Sequence, residues 1–172
     1  MKSIKSNTLT FYLIGINTVD LCRLVRIRNG RIEYRRAKTK KIYDIKVELG
    51  AAEIIDRYRG SKYLLDILER YKNYKDYAHK LNENLQEIGD VKLVEKIIKG
   101  KKRQVKECSP LFPDLTTYWA RHTWATIAYK IGVPKDVISL ALGHEFGCRA
   151  TSIYIDYDME KVDKANRDML DY

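Results

Sequence analysis

The dipeptide Asn29-Gly30 constrains this chain more than any other short stretch of it. Asparagine followed by glycine favours the two left-handed residues of a tight hairpin turn, whose twist matches that of antiparallel strands. Val25–Arg28 leads into the turn, and Arg31–Arg36 leaves it with Ile32 and Tyr34 on one face. A basic turn over Lys38–Lys41 follows, and then Ile42–Val47, in which Ile45 and Val47 share a face. The pattern predicts a three-stranded antiparallel meander over residues 25–47.

Around that meander the apolar spacing is helical. Leu9–Leu24 reads as buried helix broken near Gly15 and Asn17, with Thr18 capping a short second helix. Ala51–Tyr58 and Leu64–Tyr71 are short helical pieces. Tyr77–Ile98 carries Leu81, Leu85, Ile88, Val91, Val94 and Ile97 close to a 3.6-residue period, with Gly89 as a point where it can break. Gly100–Arg103 then reads as a solvated basic loop. Thr116–Ile131 is helical, as is the stretch from Pro134 to Leu142, where Gly143 supplies the stop. Ser152–Tyr157 and Glu160–Tyr172 complete the helical pieces. The expected class is α+β, mainly helical, with a small three-stranded antiparallel sheet near the N-terminus.

A chain of 172 residues with 45% hydrophobic and 33% charged side chains suits one domain with one core. No apolar run reaches membrane-spanning length and no signal segment opens the chain, so the expected compartment is the cytoplasm. Cys22, Cys108 and Cys148 are far apart and odd in number, which suggests neither a disulfide framework nor a metal site. No cofactor is indicated. Charge is more informative. Residues 1–110 hold 26 Lys/Arg against 14 Asp/Glu, whereas residues 111–172 hold 7 against 9. A basic surface of this kind attracts a polyanion, and nucleic acid is the usual one.

Chemistry-bearing residues then occur in a suggestive order. Lys38 lies in a hairpin turn, Arg121 early in a helix, Leu142-Gly143-His144 at the end of a later helix, and Tyr154 ten residues beyond His144. Breaking a phosphodiester without metal needs a nucleophile, a leaving-group acid and positive charge around the phosphorane oxygens. Tyr154 can be the nucleophile, with Tyr157 as its rival three residues on. Arg121 can clamp two non-bridging oxygens. His144 can donate to the same phosphate, and Lys38 can protonate the departing 5′ oxygen. His122 reads as a structural side chain, and Trp119 and Trp124 as core.

Residues 114–158 resemble the C-terminal signature of the tyrosine recombinases, the phage-integrase family. That signature is H-x-x-R, then L-G-H, then a tyrosine about nine residues later. Arg121–Thr126 and Ala141–His144 carry the likeness most closely, and the Ile153–Asp158 segment is similar to integrases of Bacteroides-type mobile elements. Residues 31–47 resemble the family's β-hairpin, with Lys38 at its lysine position. Tyr118 stands where the family has histidine. Asn17, in Gly15-Ile16-Asn17-Thr18-Val19-Asp20-Leu21, stands where the family has an arginine, so either catalysis is weakened or a nearby cation such as Arg23 or Arg26 substitutes for its charge.

The resemblance implies a tyrosine-recombinase catalytic-domain fold spanning residues 1–172, without the family's N-terminal DNA-clamping domain. It implies double-stranded DNA as partner, and site-specific recombination or integration through a 3′-phosphotyrosyl intermediate. It also implies a tail helix over 159–172 that docks on a neighbouring subunit on DNA, or on its own domain. Catalytic roles fall to Tyr154, Arg121, His144, Lys38, Tyr118 and Asn17. The alternatives are a catalytically impaired DNA-binding relative and a helical nucleic-acid-binding regulator.

Overall fold

A computed structural model describes residues 3–143 and 159–172 of the chain. The elements run α1 (Ser3–Tyr12), α2 (Thr18–Leu21), β1 (Arg31–Arg35), β2 (Ile42–Lys46), α3 (Leu49–Arg57), α4 (Ile67–Arg70), α5 (Tyr74–Gln86), β3 (Gly89–Ile98), β4 (Lys101–Pro110), α6 (Tyr118–Lys130), α7 (Lys135–Leu142) and α8 (Met159–Leu170). The α1 helix is the hub, packing against α3, α5 and α6. Leu9 and Leu13 from α1 and its exit, Leu21 and Cys22 near α2, Ile55, Tyr77, Leu85 and Trp124 are all almost wholly withdrawn from solvent. Burying each large apolar side chain contributes roughly 1.5–3 kcal/mol, so this inner layer is the main source of stability.

The three-stranded meander does not form. Among the described residues there are two separate two-stranded antiparallel sheets, β1-β2 and β3-β4, beside eight helices. That arrangement overturns the expected catalytic-domain fold with its single three-stranded sheet, while the mainly helical α+β mixture stands. The physical reason lies at Leu24. Its side chain is buried and its carbonyl accepts the N–H of Leu64 at 2.7 Å, so the chain before the turn is drawn toward the 58–65 loop. Val25 is left exposed, and the incoming arm keeps only a single bridge, Arg28 with Arg31. The turn itself is as expected, with Asn29 at φ 49° and Gly30 at φ 71°. In β1-β2, Ile32 faces Ile45 and Tyr34 faces Tyr43; the two tyrosine rings stack at 5.2 Å.

The second departure is at residues 89–110. The expected helix ends at Gln86, and the segment 89–110 is a hairpin of two ten-residue strands, with Val91, Val94 and Ile97 along β3. The basic loop expected at Gly100–Arg103 is the tip of that hairpin running into β4.

The tail helix docks on its own domain. Val162, Ala165 and Met169 are buried, and α8 packs on α6, α7 and β2. Polar contacts fix it: Arg31 donates to Asp163 at 2.5 Å and Arg167 to Glu48 at 3.0 Å. Trp124 is core as expected, but Trp119 is 46% exposed. No helix among the described residues is long and apolar enough to cross a membrane.

Candidate functional site

The site is organised around one backbone carbonyl. Gly143 ends α7 in the left-handed region, φ 66°, which frees the carbonyls of the last turn from intrahelical partners. Three side chains from distant parts of the chain converge on the carbonyl of Leu142. Arg121 donates to it through Nη2, Arg36 through Nη1 at 3.3 Å, and the Tyr43 hydroxyl at 3.2 Å. Arg36 also donates Nη1 to the Tyr43 oxygen at 3.1 Å. A side chain at Gly143 has no room, because its Cβ would fall 1.2 Å from the Tyr43 hydroxyl.

Arg121 is 7% exposed, deep for an arginine, and its Nη1 donates to the carbonyl of Gly15 at 3.2 Å. Gly15, at φ 65°, packs against Arg121 so closely that a Cβ there would sit 2.5 Å from the Arg121 Cα. The break between α1 and α2 is thus the seat of the guanidinium. Burial, and then the neighbouring charge of Arg36, hold the Arg121 pKa below its ordinary value. Neither guanidinium pairs with a carboxylate among the described residues. Two like charges held together with only neutral acceptors form a receptive site for an anion.

Asn17 is at the same place. It is the N-cap position of α2, its side chain caps no backbone N–H, and Thr18, expected as the cap, is the first helical residue. With its amide oxygen turned toward Arg36, Asn17 accepts from Nη2 and Nε at 3.2 Å each. The cation beside Asn17 is therefore Arg36. Arg23 and Arg26, the stand-ins expected from sequence, are solvent-exposed, and Arg23 lies over the Tyr74 ring at 6.0 Å. Arg36 escaped notice because it directly follows β1 in a run of basic residues, and only the fold shows which of them turns inward.

The turn bearing Lys38 is tied to the same corner. Asp20, buried on α2, accepts the N–H of Ala37 at 2.9 Å, and Arg36 and Lys41 close the turn through their backbones at 2.9 Å. Lys38 stands exposed two residues beyond Arg36. Tyr118 opens α6 one turn before Arg121, is 54% exposed, and meets the ring of His122 edge-on at 4.7 Å. His122 is exposed on the solvent side of the helix. His144, Tyr154 and Tyr157 lie outside the described residues; His144 directly follows the Gly143 cap.

The structure thus gathers Arg121 and Asn17 with Arg36, and anchors the start of the Lys38 turn beside them. Compared with family models, with curated proteins and with solved structures, the chain matches none.

Proposed function

We propose that this protein cleaves and rejoins double-stranded DNA without metal, as a tyrosine recombinase does. The observation that carries the reading is the pair Arg36 and Arg121. Two guanidiniums share a neutral acceptor at the residue before Gly143-His144, and neither makes an ion pair with a carboxylate among the described residues. A phosphate fits that requirement through fork-like hydrogen bonds.

In this reading the Tyr154 oxygen attacks the phosphorus and gives up its proton to solvent water. The bond to the 5′ oxygen breaks, and Lys38 protonates that oxygen as it leaves. Arg36, Arg121 and His144 stabilise the charge that builds on the non-bridging oxygens. Tyr118, exposed one turn before Arg121 on α6, is a further donor to the phosphate in this reading. The product is a 3′-phosphotyrosyl link and a free 5′-hydroxyl, and attack by a second 5′-hydroxyl reverses the step on a new strand. Asn17 is a positioning residue here, aiming Arg36.

The test is a denaturing gel with labelled nicked duplex DNA. Wild-type protein yields a slowly migrating covalent adduct, Tyr154→Phe yields none, and Tyr157→Phe retains it. An adduct from Tyr154→Phe overturns the assignment of the nucleophile. DNA binding without any wild-type adduct favours an impaired relative, the reading that the Asn17 and Tyr118 departures support.

A further inference from the structure

The hairpin 89–110 is long, exposed and detached from the core. Both strands have ten residues, so the ribbon reaches about 33 Å at roughly 3.3 Å per residue. Nearly every side chain on it is exposed, and β3 and β4 pack essentially on each other. Its root is closed where Leu111 donates its N–H to the Ile88 carbonyl at 3.0 Å and the Cys108 thiol donates to the Glu87 carbonyl at 2.9 Å. From there the chain runs into α6, which carries Arg121.

Residues directly opposite in an antiparallel pair lie on one face. The register pairs Lys96 with Arg103 and Ile98 with Lys101, so Lys92, Lys96, Lys101 and Arg103 share a face. Lys96 opposite Arg103 is a like-charge pair, which costs stability in an isolated ribbon. An exposed ion pair from Lys96 to Glu107 at 3.1 Å offsets it only in part, since such pairs contribute about 0–1 kcal/mol. Across residues 89–110 there are 7 Lys/Arg against 3 Asp/Glu. The other face carries Val91, Leu93 and Ile97, but its apolar row is interrupted by the Glu95–Lys102 ion pair at 2.8 Å and by Lys106 opposite Leu93.

We infer that this ribbon is a second DNA-binding element, which lays its Lys92/Lys96/Lys101/Arg103 face along the duplex backbone beyond the scissile phosphate. Two observations select duplex DNA as occupant. The charge is complementary, with four cations on this face against Asp90 and Glu107 and with Lys96 directly opposite Arg103, and a two-stranded ribbon fits a major groove about 12 Å across. Lys101 and Arg103, two apart on β4, are about 6.6 Å from one another, and Lys92 and Lys96, four apart on β3, about 13 Å. The ribbon is rooted at the end of α5, on the Glu87 and Ile88 carbonyls, and the chain leaving it runs into α6, so it would extend the protein's grip along DNA held at the proposed cleavage site. The inference rests on the DNA reading above, though not on the cleavage chemistry.

The experiment measures binding of a fluorescent random-sequence duplex by anisotropy across a salt series. It uses wild type and a variant with Lys92, Lys96, Lys101 and Arg103 all changed to alanine, with circular dichroism as the check on folding. The expected result is a Kd at least roughly tenfold weaker and a salt slope shallower by about 3–4, near 0.9 for each phosphate that the variant no longer neutralises. An unchanged Kd and slope overturns the inference, as does a wild type with no affinity for the duplex. Leu93→Ser/Ile97→Ser, followed by light scattering, covers the rival occupant. If it dissociates a wild-type dimer while the alanine variant binds DNA normally, the ribbon joins two copies of this chain and the DNA assignment falls. Salt-dependent binding that disappears in the ribbon variant, with no covalent adduct from wild type, sustains the ribbon and defeats only the cleavage reading.

Discussion

Trp124 donates its indole N–H to Oδ1 of Asn166 at 2.8 Å, and the same Asn166 donates Nδ2 to the carbonyl of Tyr12 at 3.2 Å. One amide thereby ties α8 to α6 and to the end of α1, in a place where both Trp124 and Asn166 are withdrawn from water.

Replacing Asn166 by leucine strands the Trp124 N–H and the Tyr12 carbonyl. A loss of about 1–3 kcal/mol for each buried group left unsatisfied is expected, read as a lower midpoint in urea denaturation. Removing residues 159–172 strips Val162, Ala165 and Met169 from the core and is expected to abolish cooperative unfolding. A truncated chain that unfolds with the wild-type midpoint contradicts the docking.

Arg36→Ala and Arg36→Lys separate the role of charge from that of the fork. Both variants are expected to fold, with Tyr43 and Arg121 still on the Leu142 carbonyl. Alanine should lower the rate of covalent adduct formation by roughly 10²–10³, the scale for removing one donor to a developing oxyanion. Lysine should restore only part of it, because a point charge lacks bidentate geometry. A rate unchanged in Arg36→Ala removes Arg36 from the site.

Gly143→Ala tests the cap. The added Cβ collides with the Tyr43 hydroxyl and occupies a backbone conformation, φ 66°, that L residues avoid. Destabilisation of at least about 1–2 kcal/mol is expected from the strain alone. Adduct formation should fall further than stability, since His144 follows directly. Thermal melts and single-turnover cleavage, compared on the same preparation, give the two numbers.

The protein should lose stability in alkali. Burial pushes the Cys22 thiol from 9.0 up to about 12, and burial also raises the Tyr34 and Tyr77 hydroxyls well above 10.0. These groups keep their protons in the fold while the unfolded chain releases them. The stability is therefore whole below pH 9 and is lost as pH rises toward the folded values. Cys22→Ala should flatten the first part of that decline, from pH 9 upward, at a modest cost in neutral stability. Urea midpoints between pH 7 and pH 11, roughly the span from neutrality past the reference tyrosine pKa, provide the check.

The helices were legible wherever an apolar stripe coincided with a cap, as at Pro134 and Gly143 around α7. The β1-β2 turn was legible in Asn29-Gly30, but the fate of Val25–Arg28 was not, because a buried Leu24 hydrogen-bonded to Leu64 outweighs local strand preference. In 89–98, Val91, Val94 and Ile97 fit a helical period, and the Lys99-Gly100 tip at φ 50° and 73° is a weaker turn signal than Asn-Gly. An exposed ribbon has no buried face to impose an alternating pattern. At the site, Arg121 and Asn17 stood out by their motif positions. Arg36 did not, since nothing in Arg35-Arg36 reveals which side chain turns inward.

The Leu142 carbonyl also dictates when the site can exist. Its donors come from residues 36, 43 and 121, and the acceptor comes last along the chain. During synthesis from the N-terminus the two arginines emerge before the atom that holds them together. Until then the cations are separate and solvated, and each alone is a weak phosphate ligand. A nascent chain that has not yet reached residue 142 can therefore meet nucleic acid without an assembled centre, and the two arginines converge only once that carbonyl has been made.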